Sequence, residues 1–512
     1  MRRRRHNSPL ARHPTVEQAA CQDSISLRQR VHGLEAARRT FFRQDLFNHL
    51  NGSSNHRSVA TFPTSASAIP TPGQAGMLRS MSPPQSIPSA LSPPSSTRLS
   101  VFTGAVLMLA LALPVLAQQK TLYLELGDAD RRGREADVLL DAVVDTRTGD
   151  ILSPGELAAR LAKTRLIFIG ENHTDMEFHR VQLRVIEELH RAGREVIVGL
   201  EMYPVTEQEY LTHWSAGHLT EDGFIELSKW YESWSQNWLF YRDIFVFARD
   251  KRLPMIALNA PRDVVRAVRS KGFDGLSEDE KQHVPPRVDL TDSHRTLFKS
   301  YFDEDDPLHS QMSEEMWDGM IRAQATWDGA MGYNAVQAIR EHENAVMVVL
   351  IGSGHVAYGL GIEHQAAIWI EEAGLDAEMA SIIPVPITNY EGEPIEKVSA
   401  SYADFIWGVP ASIAPVYPVL GLSTSSKDQD GNEMERGRRV IFVSEESSAE
   451  AAGFQTGDLV LTMDGVDITP KGTIGRLMGS KHWGDRASWT VLRNGEETQL
   501  NVQLRRPRLS DD

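Results

Sequence analysis

The sequence predicts an α/β domain, built on a mainly parallel sheet flanked by helices, followed by a small β-rich domain. Between about residues 165 and 355, short apolar runs alternate with stretches of helical periodicity, the pattern of a parallel sheet covered by helices. The runs are apolar throughout, so the strands are expected to be buried on both faces. After about residue 400 the pattern changes to short strands and tight turns.

Each element is bounded by a change of pattern. Strands are predicted at 165–170, 195–202, 253–260 and 345–355. Helices are predicted over 176–193, within the tryptophan- and tyrosine-rich region 207–250, and over 310–343. In the C-terminal part, the Asn-Gly dipeptide within Arg493–Gly495 is typical of a two-residue hairpin turn.

Charge excludes one class of partner. The chain has 512 residues and a formal net charge of -16. An acidic protein is not expected to bind nucleic acid through phosphate contacts, because these require lysine and arginine. The arginine run at 2–5 is basic, but it lies in a segment predicted to be absent from the mature protein.

The longest uncharged apolar stretch, residues 101–117, resembles the core of a secretory signal. Val115 and Ala117 occupy the small-residue positions of a cleavage site, which predicts a signal peptide over 99–117 and a periplasmic or secreted protein. Residues 1–98, rich in serine and proline towards their end, are predicted to be disordered and largely an over-extended N-terminus. An uncleaved signal that anchors the chain in a membrane is the alternative interpretation.

Cysteine usage limits the chemistry. The one cysteine, Cys21, lies upstream of the predicted signal. The mature chain is therefore expected to have no disulfide, no thiolate ligand, no cysteine nucleophile and no lipid-bearing cysteine. A metal site would have to use histidine, carboxylate or tyrosine side chains.

Polar residues follow the predicted strands at the point where each strand ends. The first strand ends in Glu171 and His173, the second in Glu201, the third in Asn259, and the fourth leads to His355. In a parallel sheet the carboxyl ends of the strands meet at one edge, where ligands bind. These side chains are therefore expected to lie close together.

Two imidazoles and a carboxylate are suited to a divalent metal such as Mn, Zn, Fe or Co. The predicted metal ligands are His173, Glu201 and His355, and Glu171 would act as a general base on a metal-bound water or would orient a histidine. The alternative is that each histidine is only a strand cap or a satisfied polar residue. Two similar Gly-x-x-His elements at two strand ends favour a functional site.

Other candidates are assigned to structure. His179, His190 and His213 lie on helical patterns, and only His179 is close enough in sequence to reach the site. The aromatic residues of the 207–250 region are predicted to pack helices, although a flat apolar cofactor would need walls of this kind. They are Trp214, Trp230, Tyr231, Trp234, Trp238 and Tyr241.

Five segments together resemble the ChaN family of haem-binding uptake proteins, grouped with the Tiki metalloproteases. They are GENHTDMEFHRVQ, VIVGLEMYP, PMIALNAPRDVV, AQATWDGAMGYNAV and VLIGSGHVAYGLGI, within residues 137–390. The resemblance implies a shared site at Glu171, His173, Glu201 and His355, with Gln324, Asp328 and Met331 on a later helix. It also implies haem as the cofactor, bound by His173 and His355, with Tyr203 and Tyr358 as candidate iron ligands. The chain departs from lipid-anchored members because it has no lipid-bearing cysteine.

The C-terminal part, residues 410–506, resembles a PDZ domain of the bacterial secreted type. The segments YPVLGL (417–422), SSAEAAGFQTGDLVLTMDGVDI (447–468) and RNGEETQLNVQL (493–504) carry the resemblance. It implies that backbone N–H groups at Val419, Leu420, Gly421 and Leu422 bind the C-terminal carboxylate of a peptide that adds to the sheet edge.

Two functions from different classes follow. One is an exported haem- or iron-binding protein of iron acquisition, with a peptide-binding PDZ module. The other is a metal-dependent hydrolase, a peptidase of the Tiki type, that uses the two-histidine, two-glutamate site. A non-catalytic adaptor is a third reading. The residues leave the metal, the peptide sequence and the oligomeric state open, with a homodimer as one option.

Overall fold

The computed structural model describes residues 120–302, 312–389, 392–412, 414–469 and 471–506. The predicted N-terminal tail at 1–98 and the predicted signal peptide at 99–117 lie outside these residues. Within the described ranges, no helix combines the length and the apolar composition that crossing a membrane requires.

The strands of the α/β domain include the four predicted ones, the nine-residue strand β8 and several short additions. In chain order they are β1 Glu135–Asp137, β2 Val143–Asp145, β3 Ile151–Leu152, β4 Thr164–Glu171, β5 Val196–Pro204, β6 Met255–Asn259, β7 Val346–Gly352, β8 Glu378–Pro386, β9 Lys397–Ser399 and β10 Phe405–Val409. Among the described residues, eight of them form one sheet in the order β3-β2-β10-β8-β4-β7-β5-β6. Strands β10, β8, β4, β7, β5 and β6 are parallel to one another. The predicted class, a mainly parallel sheet, is confirmed.

Helices cover both faces of this sheet. They are α1 Pro154–Arg160, α2 Met176–Arg191, α3 Gln208–Ser215, α4 Glu221–Leu227, α5 Trp230–Ser233, α6 Arg242–Lys251, α7 Arg262–Lys271, α8 Glu278–Lys281, α9 Asp292–Ser300, α10 Glu314–Glu341, α11 Ser353–Val356 and α12 Ile362–Ala373. Turns of 3₁₀ helix lie at Val205–Glu207, Trp238–Phe240 and Ala357–Gly359. Side chains cap the N-termini of the two helices that flank β4 in sequence. Ser153 and Glu156 form a capping box at α1, and Asp175 caps α2.

Strand β4 shows how the two faces divide the core. Ile167 and Ile169 belong to the core that contains α2 and the aromatic region. Leu166 and Phe168 belong to the core under α10 and α12. Because successive side chains of a strand point to opposite faces, an apolar residue is needed at every position. This explains why the strand reads as one continuous apolar run.

The sheet extends beyond the predicted domain boundary at residue 390. Strand β10 lies between β2 and β8, parallel to β8 and antiparallel to β2. The antiparallel edge formed by β2 and β3 was not predicted. These strands have three and two residues, too few for a periodicity to be recognised.

The C-terminal domain is β-rich, as predicted. Its strands are β11 Leu422–Ser425, β12 Arg438–Val443, β13 Leu459–Met463, β14 Val466–Asp467, β15 Arg486–Arg493 and β16 Glu496–Gln503, and its helices are α13 Ser448–Ala452 and α14 Thr473–Gly479. The antiparallel sheet has the order β11-β12-β13-β15-β16, and β14 pairs with β13. Asn494 and Gly495, with φ of 52° and 86°, form the two-residue turn between β15 and β16. The predicted hairpin is confirmed.

Candidate functional site

Three adjacent strand ends build the site. Strand β7 pairs with β4 on one side and with β5 on the other. Glu171, the last residue of β4, is the register partner of Gly352, the last residue of β7. The segments that follow these two strands therefore begin side by side, which brings the His173 and His355 segments together.

Glu171 and His173 form a hydrogen-bonded pair. Nδ1 of His173 lies 2.8 Å from Oε1 of Glu171, whose side chain is fully buried. Tyr241 donates a hydrogen bond of 2.5 Å to the same oxygen, and Gln182 donates one of 2.6 Å to Oε2. The carboxylate is thus surrounded by donors, and the imidazole side chain, 19% exposed, is held by its Nδ1 atom.

The pKa of Glu171 lies well below its usual value. Burial by itself would raise this pKa, but the charge of His179, the hydrogen bond and charge of His173, and the Tyr241 hydroxyl outweigh burial and lower the pKa to about 2. Glu171 is therefore ionised at neutral pH. Of the two predicted roles, this placement favours orientation of a histidine over a general base that faces solvent.

A second pair joins His355 to Asp328, a residue of α10. Nδ1 of His355 lies 2.6 Å from Oδ1 of Asp328, and the amide of Gln324 lies 2.9 Å from the same nitrogen. On the other side of the ring, Nε2 lies 3.4 Å from Oε1 of Glu201. His355 is thus held between two carboxylates.

These carboxylates determine the charge of His355. Burial would lower its pKa, but the charges of Asp328 and Glu201 raise it to about 10. Burial would likewise raise the pKa of Asp328, and the charge of His355 together with the nearby His294 imidazole lowers it. At neutral pH the pair is an imidazolium and a carboxylate.

Asp328 has a second histidine beside it. Nε2 of His294, in α9, lies 3.3 Å from Oδ2 of Asp328, and the His294 side chain is 2% exposed. His294 was not predicted to belong to the site, and Asp328 entered only through the family resemblance. Both residues lie on helices far from the strand ends in sequence, so no local pattern marks them.

Glu201 connects the middle strands. Its Oε2 accepts a hydrogen bond of 2.7 Å from the backbone N–H of Gly352, in addition to the contact with His355. The side chain of Asn259, at the end of β6, donates to the backbone carbonyl of Glu201 over 2.9 Å. Four strand ends are therefore linked, as the sequence predicts.

Gly352 lies beneath both imidazoles. A Cβ atom at this position would be 3.2 Å from Cε1 of His173 and 3.6 Å from Cδ2 of His355. At Gly170, a Cβ atom would be 2.7 Å from Oγ of Ser353. These glycines allow close approach at the strand ends, since a side chain at Gly170 would displace Ser353 and one at Gly352 would crowd the His173 ring.

The aromatic region packs the core, as predicted, and two of its residues also contact the site. Trp214, Trp230 and Trp238 are fully or almost fully buried. Trp234 contacts the His173 ring edge to face, with 4.8 Å between centroids, and Tyr241 donates to Glu171. One face of this region therefore borders the site.

The two candidate tyrosine ligands are engaged elsewhere. The hydroxyl of Tyr203 donates to Oγ of Ser228 over 2.9 Å, inside the aromatic core. The hydroxyl of Tyr358 donates to the carbonyl of Thr121 over 2.6 Å. Burial raises the pKa of both hydroxyls above the usual range. Their role as iron ligands stays a prediction that these contacts do not favour.

The predicted metal ligands do not form a preformed cluster. Within the described parts of the chain, no group of three or more His, Cys, Asp or Glu side chains has an arrangement that could hold a metal ion. His355 is within 3.4 Å of Glu201, whereas His173 is paired with Glu171. The set His173, Glu201 and His355 does not fit a divalent metal in this arrangement.

The predicted carboxylate-binding loop precedes the edge strand β11. The carbonyl of Leu420 accepts from the N–H of Ala449 and that of Gly421 from the N–H of Ser444, each over 2.9 Å. Gly421 has φ of +81°, and a Cβ atom there would collide with Ser447. The loop is thus anchored through its carbonyl groups beside a strand that pairs with β12 on one side.

Two family models match the chain. Residues 157–365 match the family model described as haem-binding uptake, Tiki superfamily, ChaN. Residues 418–504 match the PDZ domain model. The chain carries a ChaN-type domain followed by a PDZ domain.

Individual relatives share limited sequence identity with the two domains. A 266-residue stretch, 48% of this chain and 34% of the relative, is 27% identical to Protein RETICULATA-RELATED 5, chloroplastic, from Arabidopsis thaliana. A 73-residue stretch, 14% of this chain and 18% of the relative, is 30% identical to the serine protease Do-like HtrA of Lactobacillus helveticus. The chain spans about a third or less of the length of these curated relatives.

Among solved structures, ChaN of Campylobacter jejuni, described with cofacial heme binding, is similar to the ChaN-type domain. It is 17% identical, with a TM-score of 0.41, and the match covers 52% of this chain and 95% of that protein.

Proposed function

We propose that the ChaN-type domain binds haem at the carboxyl edge of its sheet, that His173 would ligate the iron, and that the PDZ domain binds a peptide C-terminus. The observation that carries the haem assignment is the Glu171–His173 pair at the end of β4. The family model that matches residues 157–365 is described as haem-binding, which supports the same ligand.

The pair has the donor chemistry that haem iron requires. A histidine that ligates a metal usually donates its other ring N–H to a carboxylate, which sets the tautomer and increases the basicity of the ligating nitrogen. In His173 the Nδ1 atom faces the ionised Glu171, so Nε2 is the nitrogen that would coordinate iron. Bound haem would supply a redox-active iron.

His355 has a different role in this proposal. Each of its ring nitrogens faces a carboxylate, Nδ1 at Asp328 and Nε2 at Glu201. We therefore assign it to holding the ends of β5 and β7 together rather than to the iron. Trp234, buried and in edge-to-face contact with the His173 ring, supports the imidazole from the apolar core.

The proposal extends to the cellular role. An exported protein that binds haem would serve iron acquisition, and the apolar segment at 101–117 supports export. Peptide binding at Val419–Leu422 is supported by the PDZ match and by the position of the loop before the edge strand β11.

The metal-dependent hydrolase remains the alternative, but no observation on the described residues favours it specifically. The described residues hold no preformed metal cluster, and Glu171 is enclosed by donors rather than directed at a water site.

A haemin titration followed by absorbance tests the proposal. The purified chain is expected to give a saturable, shifted Soret band, and His173→Ala should weaken haem binding at least tenfold. His364→Ala is the matched control, because His364 is also paired with a carboxylate, Asp289 at 2.7 Å, away from the strand ends. A band that His173→Ala leaves unchanged would overturn the assignment. Absence of a band, with a divalent metal found by elemental analysis, would favour the hydrolase.

A further inference from the structure

The PDZ domain packs against the same stretch of chain that borders the Glu171–His173 pair. We use the term aromatic segment for residues 230–241, from helix α5 to the residue before α6. The PDZ domain contacts this segment at two places, and the Glu171–His173 pair contacts it at two others.

The first PDZ contact is a glycine face on helix α14. Gly475 lies against the ring of Tyr231, where a Cβ atom would be 3.2 Å from Cδ1, and Gly479 lies against the Tyr231 hydroxyl. At Gly472, a Cβ atom would be 2.6 Å from Cγ of Glu232. Gly472, at the start of α14, lies on the same face as Gly475 and Gly479 within the helix. On this face, α14 contacts the aromatic segment without a side chain of its own.

The second PDZ contact lies beside the carboxylate-binding loop. Tyr417, two residues before Val419, packs edge to face on Phe240 with 4.9 Å between centroids. Its hydroxyl donates to the carbonyl of Leu239 over 3.4 Å. The loop that would receive a peptide carboxylate is therefore joined to the aromatic segment through the residue that precedes it.

The other side of the aromatic segment holds the histidine pair. Trp234 contacts the ring of His173, and Tyr241 donates to Glu171 over 2.5 Å. Within the segment, the N–H of Trp238 donates to the Tyr231 hydroxyl over 3.4 Å, which ties the PDZ-facing residue to the middle of the segment. Tyr231 and Trp234 lie three residues apart, so a shift of α5 moves both.

A residue with strained backbone lies on each side of α5. Lys229 and Ser235, which flank this helix, have φ of 51° and 68°. Residues other than glycine adopt this left-handed region at a cost, and such strain is found at segments that change conformation. Helix α5 is therefore the part of the segment that we expect to move.

We propose that peptide binding at the PDZ domain and haem binding at His173 are coupled through the aromatic segment, so that each ligand changes the affinity of the other. A peptide that adds to β11 and places its carboxylate at Val419–Leu422 would press on the loop that Tyr417 joins to Phe240. Close-packed contacts transmit such displacements because they leave no room for local relaxation. Coupling of this kind is reciprocal by thermodynamic necessity. The part of this proposal that concerns haem binding rests on the proposed function.

The first test needs no ligand. Hydrogen exchange of the full chain, read by mass spectrometry, is compared between the wild type and Gly475→Leu, which wedges α14 away from Tyr231. We expect faster exchange in residues 230–241 and also in residues 171–179. The matched control is Gly155→Leu, because a Cβ atom at Gly155 meets nothing within 4 Å.

A second variant guards against loss of the PDZ fold in Gly475→Leu. Tyr231→Ala removes the same contact from the ChaN-type side and leaves α14 intact. Faster exchange at 171–179 in both variants, and not in Gly155→Leu, supports coupling. Coupling is overturned if, in both variants, the exchange rate changes only within the PDZ domain. It is also overturned if the change within the ChaN-type domain extends no further than residue 235 and does not include residues 171–179.

The second test uses haemin as the probe. Both interface variants are expected to change the haemin dissociation constant at least about fivefold, the lower range of allosteric coupling. Haemin added to the wild type should slow exchange in 417–425 and 473–479. Unchanged haemin affinity in both variants overturns the coupling. If the wild type fails to bind haemin, the proposed function fails by itself, and the ligand-free test still decides whether the PDZ domain reaches residues 171–179.

Discussion

Two carboxylate–histidine pairs at the strand ends of the ChaN-type domain have the same kind of hydrogen bond but differ in the charges around the imidazole. In the Glu171–His173 pair the carboxylate is the buried partner, stabilised by Tyr241 and Gln182 as well as by the imidazole. In the Asp328–His355 pair the imidazole is the crowded partner, with carboxylates on both ring nitrogens.

The difference separates the proposed iron ligand from a histidine that joins structural elements. A histidine whose Nδ1 pairs with one carboxylate can coordinate a metal through Nε2, whereas an imidazolium between two carboxylates links the elements that supply them. His173 ends one strand, while the His355 pair joins β5, β7 and α10. Five measurements test this contrast, beginning with the largest expected effect.

The His355 pair should lose its stabilising effect in alkali. Its pKa is raised from 6.5 to about 10, so the imidazolium contributes fully below about pH 6.5 and the contribution disappears as pH rises through about 10. The change corresponds to roughly 5 kcal/mol. The difference in free energy of unfolding between the wild type and His355→Gln should shrink over this pH range. Parallel pH profiles of the two proteins would contradict the charged assignment.

Neutralising Asp328 should strongly destabilise the domain. Asp328→Asn keeps the shape but leaves the His355 charge with Glu201 alone, and breaking a buried pair costs about 3–5 kcal/mol. Urea unfolding followed by circular dichroism measures the loss. Asp318→Asn is the control on the same helix: Asp318 pairs with Arg295 at the surface, and its loss should cost about 1 kcal/mol or less. Equal costs for the two variants would remove the distinction.

The Glu171 pair should weaken in acid rather than in alkali. Its pKa is lowered from 4.5 to about 2, so its contribution is present above about pH 4.5 and is lost as pH falls through about 2. The loss corresponds to roughly 3 kcal/mol. The stability difference between the wild type and Glu171→Gln should fall over this range. A difference that is constant below pH 4.5 would show that the charge of Glu171 is not stabilised.

The hydrogen bond from Tyr241 to the charged Glu171 should stabilise the fold more than a hydrogen bond between two neutral groups. Tyr241→Phe removes a hydrogen bond to a carboxylate and is expected to cost about 2 kcal/mol, whereas Tyr203→Phe removes one to Ser228 and should cost about 1 kcal/mol. Urea unfolding compares the two variants. Only Tyr241→Phe should move the acid loss of stability to higher pH, because it raises the pKa of Glu171.

The smallest change is at the glycine beneath both histidines. Gly352→Ala should cost roughly 1 kcal/mol by overpacking, because the new methyl would lie 3.2 Å from His173. Haemin affinity should fall as the imidazole is displaced. Gly155→Ala, in open space within α1, should be neutral or slightly stabilising since alanine favours a helix. Unchanged haemin affinity in Gly352→Ala would show that this histidine position is not critical.

Much of the central sheet is predictable because strands buried on both faces leave continuous apolar runs. The runs at 165–170 and 195–202 correspond to β4 and β5, and the predicted helix at 176–193 corresponds to α2. Strand β8, the short strands β2 and β3 and the place of β10 in the sheet are not among the predicted elements. Strand β10 is an apolar run of five residues, but its place in the sheet depends on its pairing with β8 and β2.

The same contrast applies to the site. Glu171 and His173 are two residues apart, at the end of a recognisable strand, so the local sequence determined both their proximity and their position at the sheet edge. Partners distant along the chain were decided only by tertiary structure: Tyr241 is 70 residues from Glu171, Asp328 is 27 from His355, and Glu201 is 151 from Gly352. The physical reason is that periodicity and strand ends are local properties of the chain. Which carboxylate meets which imidazole, and hence which histidine carries a charge, depends on how helices and strands pack.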